Sequence, residues 1–325
     1  MLIYAGIDEA GYGPILGPLV VARSVFLVEA ADPRAPLPSL WTLQRGAVCR
    51  RAGDGLQRVA INDSKLLYNA TLGLRHLERG VLGFLYAAAI RPRSLNELFA
   101  SLAHDAASQE MTLAWYREPS GGPRLPSCVE QVELERVATR VVRAWSDSGL
   151  RLAEVKAAIV FEDRFNRMVG DCQSKAACSW CFVAEHLQSI WENYGELHPR
   201  VIVDRQGGRR NYLELLAALF PWTRLRLIEC RPAVSSYEVS DERRSMEIAV
   251  HVASERDHLP AAFASMTAKY LRELLMARFR AYWQQQAPAV RGSSGYAADG
   301  QRFLREIQPT LARLGIDPRM LIRVR

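Results

Sequence analysis

The chain opens on an apolar run, Leu2 to Ile7, that ends in two adjacent carboxylates, Asp8 and Glu9. A turn rich in glycine and proline follows at once, from Ala10 through Gly11, Tyr12, Gly13 and Pro14 to Gly17 and Pro18. A short apolar run bounded by turn residues reads as a buried strand. Side chains alternate across a strand, so one of the two acids faces the core. An isolated acidic pair in such a place is commonly just a strand end before a tight turn. Acids driven toward a core nevertheless cost stability unless something neutralises them, and a hard divalent cation does so through oxygen ligands. Gly11 and Gly13 let the backbone approach a ligand closely and turn its N–H groups toward it. A chain that begins this way must bring a strand terminus, a charged site and a close backbone approach to one point.

Four later segments add to this one. Asn62-Asp63-Ser64-Lys65-Leu66 is polar and precedes a helical pattern; Val201 to Val203 is an apolar strand ending in Asp204. Glu255 to Lys269 joins an acid to a run of small residues and a lysine, and Gly295-Tyr296 lies near the C-terminus. Together with the opening motif these segments resemble, in order, the type 2 ribonucleases H of prokaryotes, ribonucleases HII and HIII. In that family the first strand ends in Asp-Glu-Ala-Gly-Arg-Gly-Pro, and an Asp-Ser-Lys-Lys-Leu motif follows. This chain matches at Asp8, Glu9, Ala10, Gly11, Gly13, Pro14, Gly17 and Pro18, and departs at Tyr12, where the family has arginine. It departs again after Asp204, where Arg205-Gln206-Gly207 replaces the usual Gly-Asn. The resemblance implies a divergent member with a ribonuclease H-like mixed β-sheet flanked by helices.

Composition agrees with a nucleic-acid partner without requiring one. The 325 residues carry a formal charge of +7, and 49% are hydrophobic against 24% charged, ordinary values for a globular protein. A basic balance suits a polyanion. Almost all of the basic residues are arginine; the four lysines are Lys65, Lys156, Lys175 and Lys269, and two of them fall on motif positions. No basic region and apolar signal core precede the first strand, and no run of eighteen apolar residues occurs, so a cytoplasmic location off the membrane is expected. Cys178-Ser-Trp-Cys181 has the spacing of a zinc knuckle, with Cys172 before and His186 after, but a second tight pair is missing. The six cysteines are therefore read as buried free thiols.

Strands are expected at Leu2–Ile7, Leu19–Leu27, Val155–Phe161 (as a central strand), Val201–Asp204, Arg224–Glu229 and Met246–Ala253. Helical spacing predicts helices over Leu72–Ile90, Leu95–Ala107, Val129–Trp145, Cys172–Tyr194, Leu213–Phe220, Lys269–Trp283 and Gly300–Leu314. Residues 30–60 read as a loop-rich excursion, 117–127 as a surface linker and Gln284–Ser294 as flexible. This order suits a mixed sheet with helices on its faces. We divide the chain into a catalytic domain, 1–283, with a helical insertion about 85–150, and a C-terminal helical extension, 284–325, that contributes to substrate binding.

What the resemblance implies for chemistry is a metal-dependent endoribonuclease. It would cleave the RNA strand of RNA–DNA hybrids, or at ribonucleotides in duplex DNA, leaving 3′-hydroxyl and 5′-phosphate ends. Two divalent cations, Mg²⁺ or Mn²⁺, would be held by Asp8, Glu9, Asp204 and Glu255. Glu255 is preferred to Asp241, Glu247 and Asp257 because its spacing to Lys269 is that of the family. Ser64 and Lys65 would contact phosphate, Gly11, Tyr12 and Gly13 would read the 2′-hydroxyl, Arg209 would line the groove and Tyr296 would stack on a sugar or base. Each has an ordinary alternative: a helix cap at Asp63 or Ser64, a solvated face at Arg209, packing at Tyr296. A monomer is expected. The alternative to an enzyme is a non-catalytic relative that binds hybrid or structured nucleic acid.

Overall fold

A computed structural model of the chain describes residues 1–29, 35–54, 57–68, 71, 73–103, 113–117 and 124–324. Strands β1 (Leu2–Ala10) and β2 (Leu19–Val28) form an antiparallel pair, with Leu2 opposite Val28 and Ala10 opposite Val20. The excursion that follows holds a short helix α1 (Leu40–Leu43) and two short parallel strands, β3 (Val48–Cys49) and β4 (Val59–Ala60). Next come α2 (Ser64–Leu67), α3 (Arg75–Ala87), α4 (Leu95–Leu102) and α5 (Gln131–Ser148). Strand β5 (Leu150–Val160) leads into α6 (Glu162–Cys172) and α7 (Lys175–Tyr194). The remaining sheet comprises β6 (Arg200–Asp204), then α8 (Leu213–Leu219), β7 (Arg224–Cys230), β8 (Val234–Ser240) and β9 (Ser245–His251). Helices α9 (Leu259–Gln286) and α10 (Ala297–Leu314) close the chain.

The seven strands form one mixed sheet in the order β5-β2-β1-β6-β9-β8-β7. β1 is buried on both faces, which is why its sequence is apolar without alternation. Its even-numbered side chains, Leu2 and Tyr4, join the core under α3, α5 and α9; Ile3, Ala5 and Ile7 join the core under α7 and α8. Helix α9 is apolar nearly all round because it is enclosed, as such helices are. It lies so close to β1 that a side chain on Gly6 would meet the Ala261 nitrogen at 2.1 Å. Phe99, Trp115, Leu134 and Trp145 from the 85–150 stretch pack into the same core as α9. No described helix is long and apolar enough to cross a membrane.

Several expectations need correction. The run at Val155–Phe161 belongs to an edge strand, paired only with β2, rather than a central one. The helix expected at about Cys172–Tyr194 is α7, which starts three residues later, at Lys175; Gln173 adopts a left-handed conformation (φ 53°) just ahead of it, at the end of α6. Strand β8 and helix α6 were not anticipated, and α9 starts ten residues before Lys269, at Leu259. Of Gln284–Ser294, the first three residues continue α9, and Arg302 donates to the carbonyls of Arg291 (3.2 Å) and Gly292 (3.1 Å) in the rest. The cysteines are free, but Cys128, Cys172 and Cys230 are exposed; only Cys49 and Cys178 are buried. His186 does not face them: its Nδ1 accepts from the Arg23 guanidinium (3.0 Å) and its Nε2 donates to the Val21 carbonyl (3.0 Å). Residue 72, the end of the helix expected to reach Ala107, most of the 117–127 linker and parts of the 30–60 excursion lie outside the described residues.

Candidate active site

Three parallel strands end side by side. β1 pairs with β6 so that Ile7 is opposite Val203, and β6 pairs with β9 so that Asp204 is opposite His251. Asp8 and Asp204 are thus the next residues on neighbouring strands. Alternation puts both on the α9 face, where Ile202 and Ala249 also point. Asp8 is hydrogen-bonded there by the Ser265 hydroxyl of α9. Glu9 turns to the opposite face, where the Gln206 side chain holds it; the Gln206 amide in turn donates to the Ser179 hydroxyl of α7 at 2.7 Å. The pair Asp8-Glu9 therefore straddles the end of the sheet.

Glu255 arrives differently from the expected route. β9 stops at His251, and Ala253 takes a left-handed conformation (φ 53°), so strand alternation does not reach residue 255. A 3-10 turn, Ser254–Arg256, carries it instead. The Ser254 N–H donates to the Asp204 carboxylate at 2.9 Å, which ties this turn to the end of β6. Glu255 is buried, and its Oε2 has no hydrogen-bond partner.

The four carboxylates line one cavity together with Gly11, Tyr12, Gly13, Ser64, Lys65 and Tyr296. All of the expected site residues except Arg209 meet there. Arg209 lies outside the cavity lining and packs over the Tyr212 ring at 6.0 Å. Ser265 and Lys269 line the cavity as well, and Gln206 supports it, with no role expected for them from the sequence; Asp63, also in the lining, is the N-cap of α2, accepting from the Lys65 N–H at 2.8 Å. Ser265 and Lys269 sat inside a motif already noted, and helical spacing of four residues would have put them on one face.

Electrostatics mark the cavity as an anionic pocket. Burial, then the charges of Asp204 and Glu9, push the Asp8 carboxyl well above the usual carboxylate range. Burial and Asp204 raise Glu9, and burial raises Asp204 and Glu255. The Lys65 ammonium offsets part of this at Glu9, Asp204 and Glu255. Lys269 is committed elsewhere, to Glu273 at 2.8 Å and to the face of Tyr68. Among the described residues, no three His, Cys, Asp or Glu side chains close on a single coordination point. The acids instead line one wall of hard oxygen donors, with the orphaned Glu255 oxygen buried among them; such a donor set fits a hard divalent cation.

The glycine turn is built rigidly from behind. Gly11 (φ 91°) needs its left-handed conformation, and a side chain there would meet the Pro18 carbonyl at 2.5 Å. Gly13 differs: its φ lies outside the left-handed region, nothing lies within 4 Å of where a side chain would be, and it lines the cavity. The Arg323 guanidinium donates to the carbonyls of Gly11 and Pro14, and Arg272 donates to that of Leu16 (3.1 Å). Ile15 and Leu16 donate to the Gly295 carbonyl (2.8 and 3.2 Å), which holds Tyr296 next to the turn.

Glu162 completes this support and makes it pH-sensitive. Its Oε1 accepts from the Gly17 N–H (3.0 Å) and the Tyr116 hydroxyl (2.7 Å). Burial pushes its carboxyl up to about 7, against the pull of those donors. The folded state then binds the proton more tightly than the unfolded chain, so this stabilisation is present at acid pH. It is lost as pH rises from the ordinary 4.5 through about 7. Glu162→Gln keeps the Oε1 acceptor and cannot ionise. Thermal melts at pH 5 and pH 8 should therefore show the variant gaining on the wild type by up to about 3 kcal/mol. A difference that stays flat between those pH values would mean that Glu162 is charged throughout.

No protein-family model matches the chain, and no curated protein matches it. Among solved structures it is similar to ribonuclease HII of Archaeoglobus fulgidus, solved as a complex with PCNA. Identity is 15%, the TM-score is 0.43, and 100% of this chain and 95% of that chain are covered. A ribonuclease H of Pyrococcus horikoshii is similar at 14% identity and a TM-score of 0.43, covering 98% and 92%. Bst-ribonuclease HIII in complex with Mn²⁺ is similar at 14% identity and a TM-score of 0.41, covering 99% of this chain and 66% of that one. The chain is similar, at low identity, to these ribonucleases HII and HIII, and its own sheet is mixed and seven-stranded with helices on its faces.

Proposed function

We propose that the protein is a metal-dependent endoribonuclease acting on the RNA strand of RNA–DNA hybrids, or at ribonucleotides embedded in duplex DNA. One observation carries this reading: Asp8, Glu9, Asp204 and Glu255 share a cavity with an open-sided glycine turn and a lysine. A surface that merely binds polyanions has no use for four carboxylates, since they repel phosphate. Asp8, Glu9, Asp204 and Glu255 would hold two divalent cations, Mg²⁺ or Mn²⁺. When bound, these supply an activated water and charge stabilisation at the leaving oxygen.

The chain's own groups do the rest. Lys65 presents a point charge to a phosphate oxygen. Ser64, bonded to the Ser265 hydroxyl at 3.1 Å, links the phosphate contact to the residue that orients Asp8. The backbone at Gly11 and Gly13 reads the 2′-hydroxyl, the group that separates RNA from DNA. Tyr296, 54% exposed at the cavity rim, stacks on a sugar or base, and residues 284–325 thereby contribute to binding. Arg209 sits beside Tyr12, outside the cavity, where it meets a flanking phosphate.

Gly13→Ala tests the reader directly. The new methyl group meets no protein atom, so the melting temperature should not move, while KM for a ribonucleotide-containing duplex should rise about tenfold, 1.4 kcal/mol. An unchanged KM would remove Gly13 from the substrate contact. The reading as a whole is tested by incubating the protein with Mg²⁺ or Mn²⁺ and labelled duplexes carrying one ribonucleotide, a full hybrid strand or DNA only. Cleavage of either ribonucleotide-containing duplex, with 3′-hydroxyl and 5′-phosphate ends, is expected. Tight binding without cleavage would favour the non-catalytic alternative.

A further inference from the structure

A second charged surface lies away from the carboxylates. Residues Arg51 to Asp54 and Gln57 to Ala60 of the excursion, helix α3 and helix α5 enclose an open groove whose walls carry seven arginines. Against Arg51, Arg58, Arg75, Arg79, Arg136, Arg140 and Arg143 stand four acids, Asp54, Glu130, Glu133 and Glu135, a balance of +3. Part of this set is architectural. Arg58 pairs with Asp54 (2.9 Å), Arg75 and Arg79 share Glu133 (2.6 and 2.8 Å), and Arg79 and Arg140 hold the Gln57 carbonyl (2.9 and 2.8 Å). These bonds fix the shape of the groove.

Folding does not account for the remainder. Arg136 and Arg143 flank the anchored Arg140, at four and three residues along α5, in one exposed stripe of like charges. Like charges at this spacing oppose helix formation. Among the described residues, the guanidinium groups of Arg51, Arg136 and Arg143 make no hydrogen bond or ion pair. The groove is also joined to the catalytic cavity through the backbone. β4 forms part of its wall at Ala60 and runs directly into Asn62-Asp63-Ser64-Lys65. Asn62 donates to the Arg50 carbonyl (2.8 Å), and the Arg50 guanidinium reaches the Arg256 carbonyl in the turn that carries Glu255.

We infer that this groove is a second nucleic-acid contact, binding the phosphate backbone of a duplex whose scissile strand lies in the carboxylate cavity. Guanidinium groups suit the task because they grip phosphate oxygens in pairs without reading sequence. The inference rests on the proposed function for the identity of the ligand. Its test separates the two, because it reads equilibrium binding in Ca²⁺, without turnover.

Arg136→Gln/Arg143→Gln is compared with a charge-matched control, Arg224→Gln/Arg243→Gln, whose arginines are exposed at the other edge of the sheet. Two labelled hybrids are used, a long one and one of a few base pairs. The groove variant should bind the long hybrid about tenfold more weakly, with its salt slope reduced by about 2, one for each lost phosphate contact. The control should keep wild-type affinity, and the short hybrid should not distinguish the two variants. Equal losses in both variants would reduce the effect to net charge and overturn the inference, as would unchanged binding in both. Should the wild type bind DNA-only duplex with the same length dependence yet cleave nothing, the groove would stand and the nuclease reading would fall.

Discussion

Asp8→Asn is expected to abolish metal-dependent cleavage, a loss of about a thousandfold or more, some 4 kcal/mol of transition-state stabilisation. Asp8 lies one residue past the last β1–β6 pair, beside Asp204 on one face of the sheet, where it would be one of the acids that hold the cations. The substitution is nearly isosteric, and the Ser265 hydroxyl keeps a partner in the new amide. The metal-free variant should also melt higher than the wild type at neutral pH. Burial and two neighbouring acids oppose ionisation of Asp8, so a neutral side chain there relieves a cost that folding otherwise carries. Mg²⁺ or Mn²⁺ should raise the melting temperature of the wild type by mass action and leave the variant almost unmoved. Turnover within tenfold of wild type would end the two-metal reading.

How much of this was legible in the sequence depends on the range of the determining contact. β1, the glycine turn and β2 were readable because apolar runs and glycines report local conformation. The placement of Asp8 and Asp204 followed once two apolar strands each ended in an acid. β8 escaped notice because it is half serine and polar, Val234-Ser-Ser-Tyr-Glu-Val-Ser240, and buries Ser235 and Ser236 beside Tyr237. Helix α6 was hidden for a similar reason: apart from Glu162, Phe165 is its buried residue, too sparse a stripe to reveal a period. The apolar run in β5 reads as a central strand, yet among the described residues its sheet partner is β2 alone, and its apolar character comes from α4 and α5 packing against it. Gln206 looked like a departure from a motif. Its role as the group that holds Glu9 depends on Ser179 of a distant helix, which no local pattern records.

Glu255→Gln should cut turnover by about a hundredfold or raise the metal concentration needed, whereas Asp241→Asn should leave both near wild type. The contrast comes from what each acid touches. Glu255 is buried at the cavity, its Oε2 unpartnered, and the turn that carries it is anchored to Asp204 through the Ser254 N–H. A buried carboxylate oxygen without a donor costs stability unless a cation takes that place. Gln preserves size and burial but withdraws the charge, so the loss should be reversed in part by higher metal, a response that a purely structural residue would not give. Asp241 instead sits in the turn between β8 and β9, accepting from the Arg243 and Arg244 N–H groups (2.8 and 2.7 Å), which hold its carboxyl below the usual range. Its loss would loosen an exposed hairpin turn on the surface. The opposite ranking, with Asp241→Asn inactive and Glu255→Gln active, would show that the fourth acid has been assigned wrongly, and would leave Asp8, Glu9 and Asp204 to be completed by another residue.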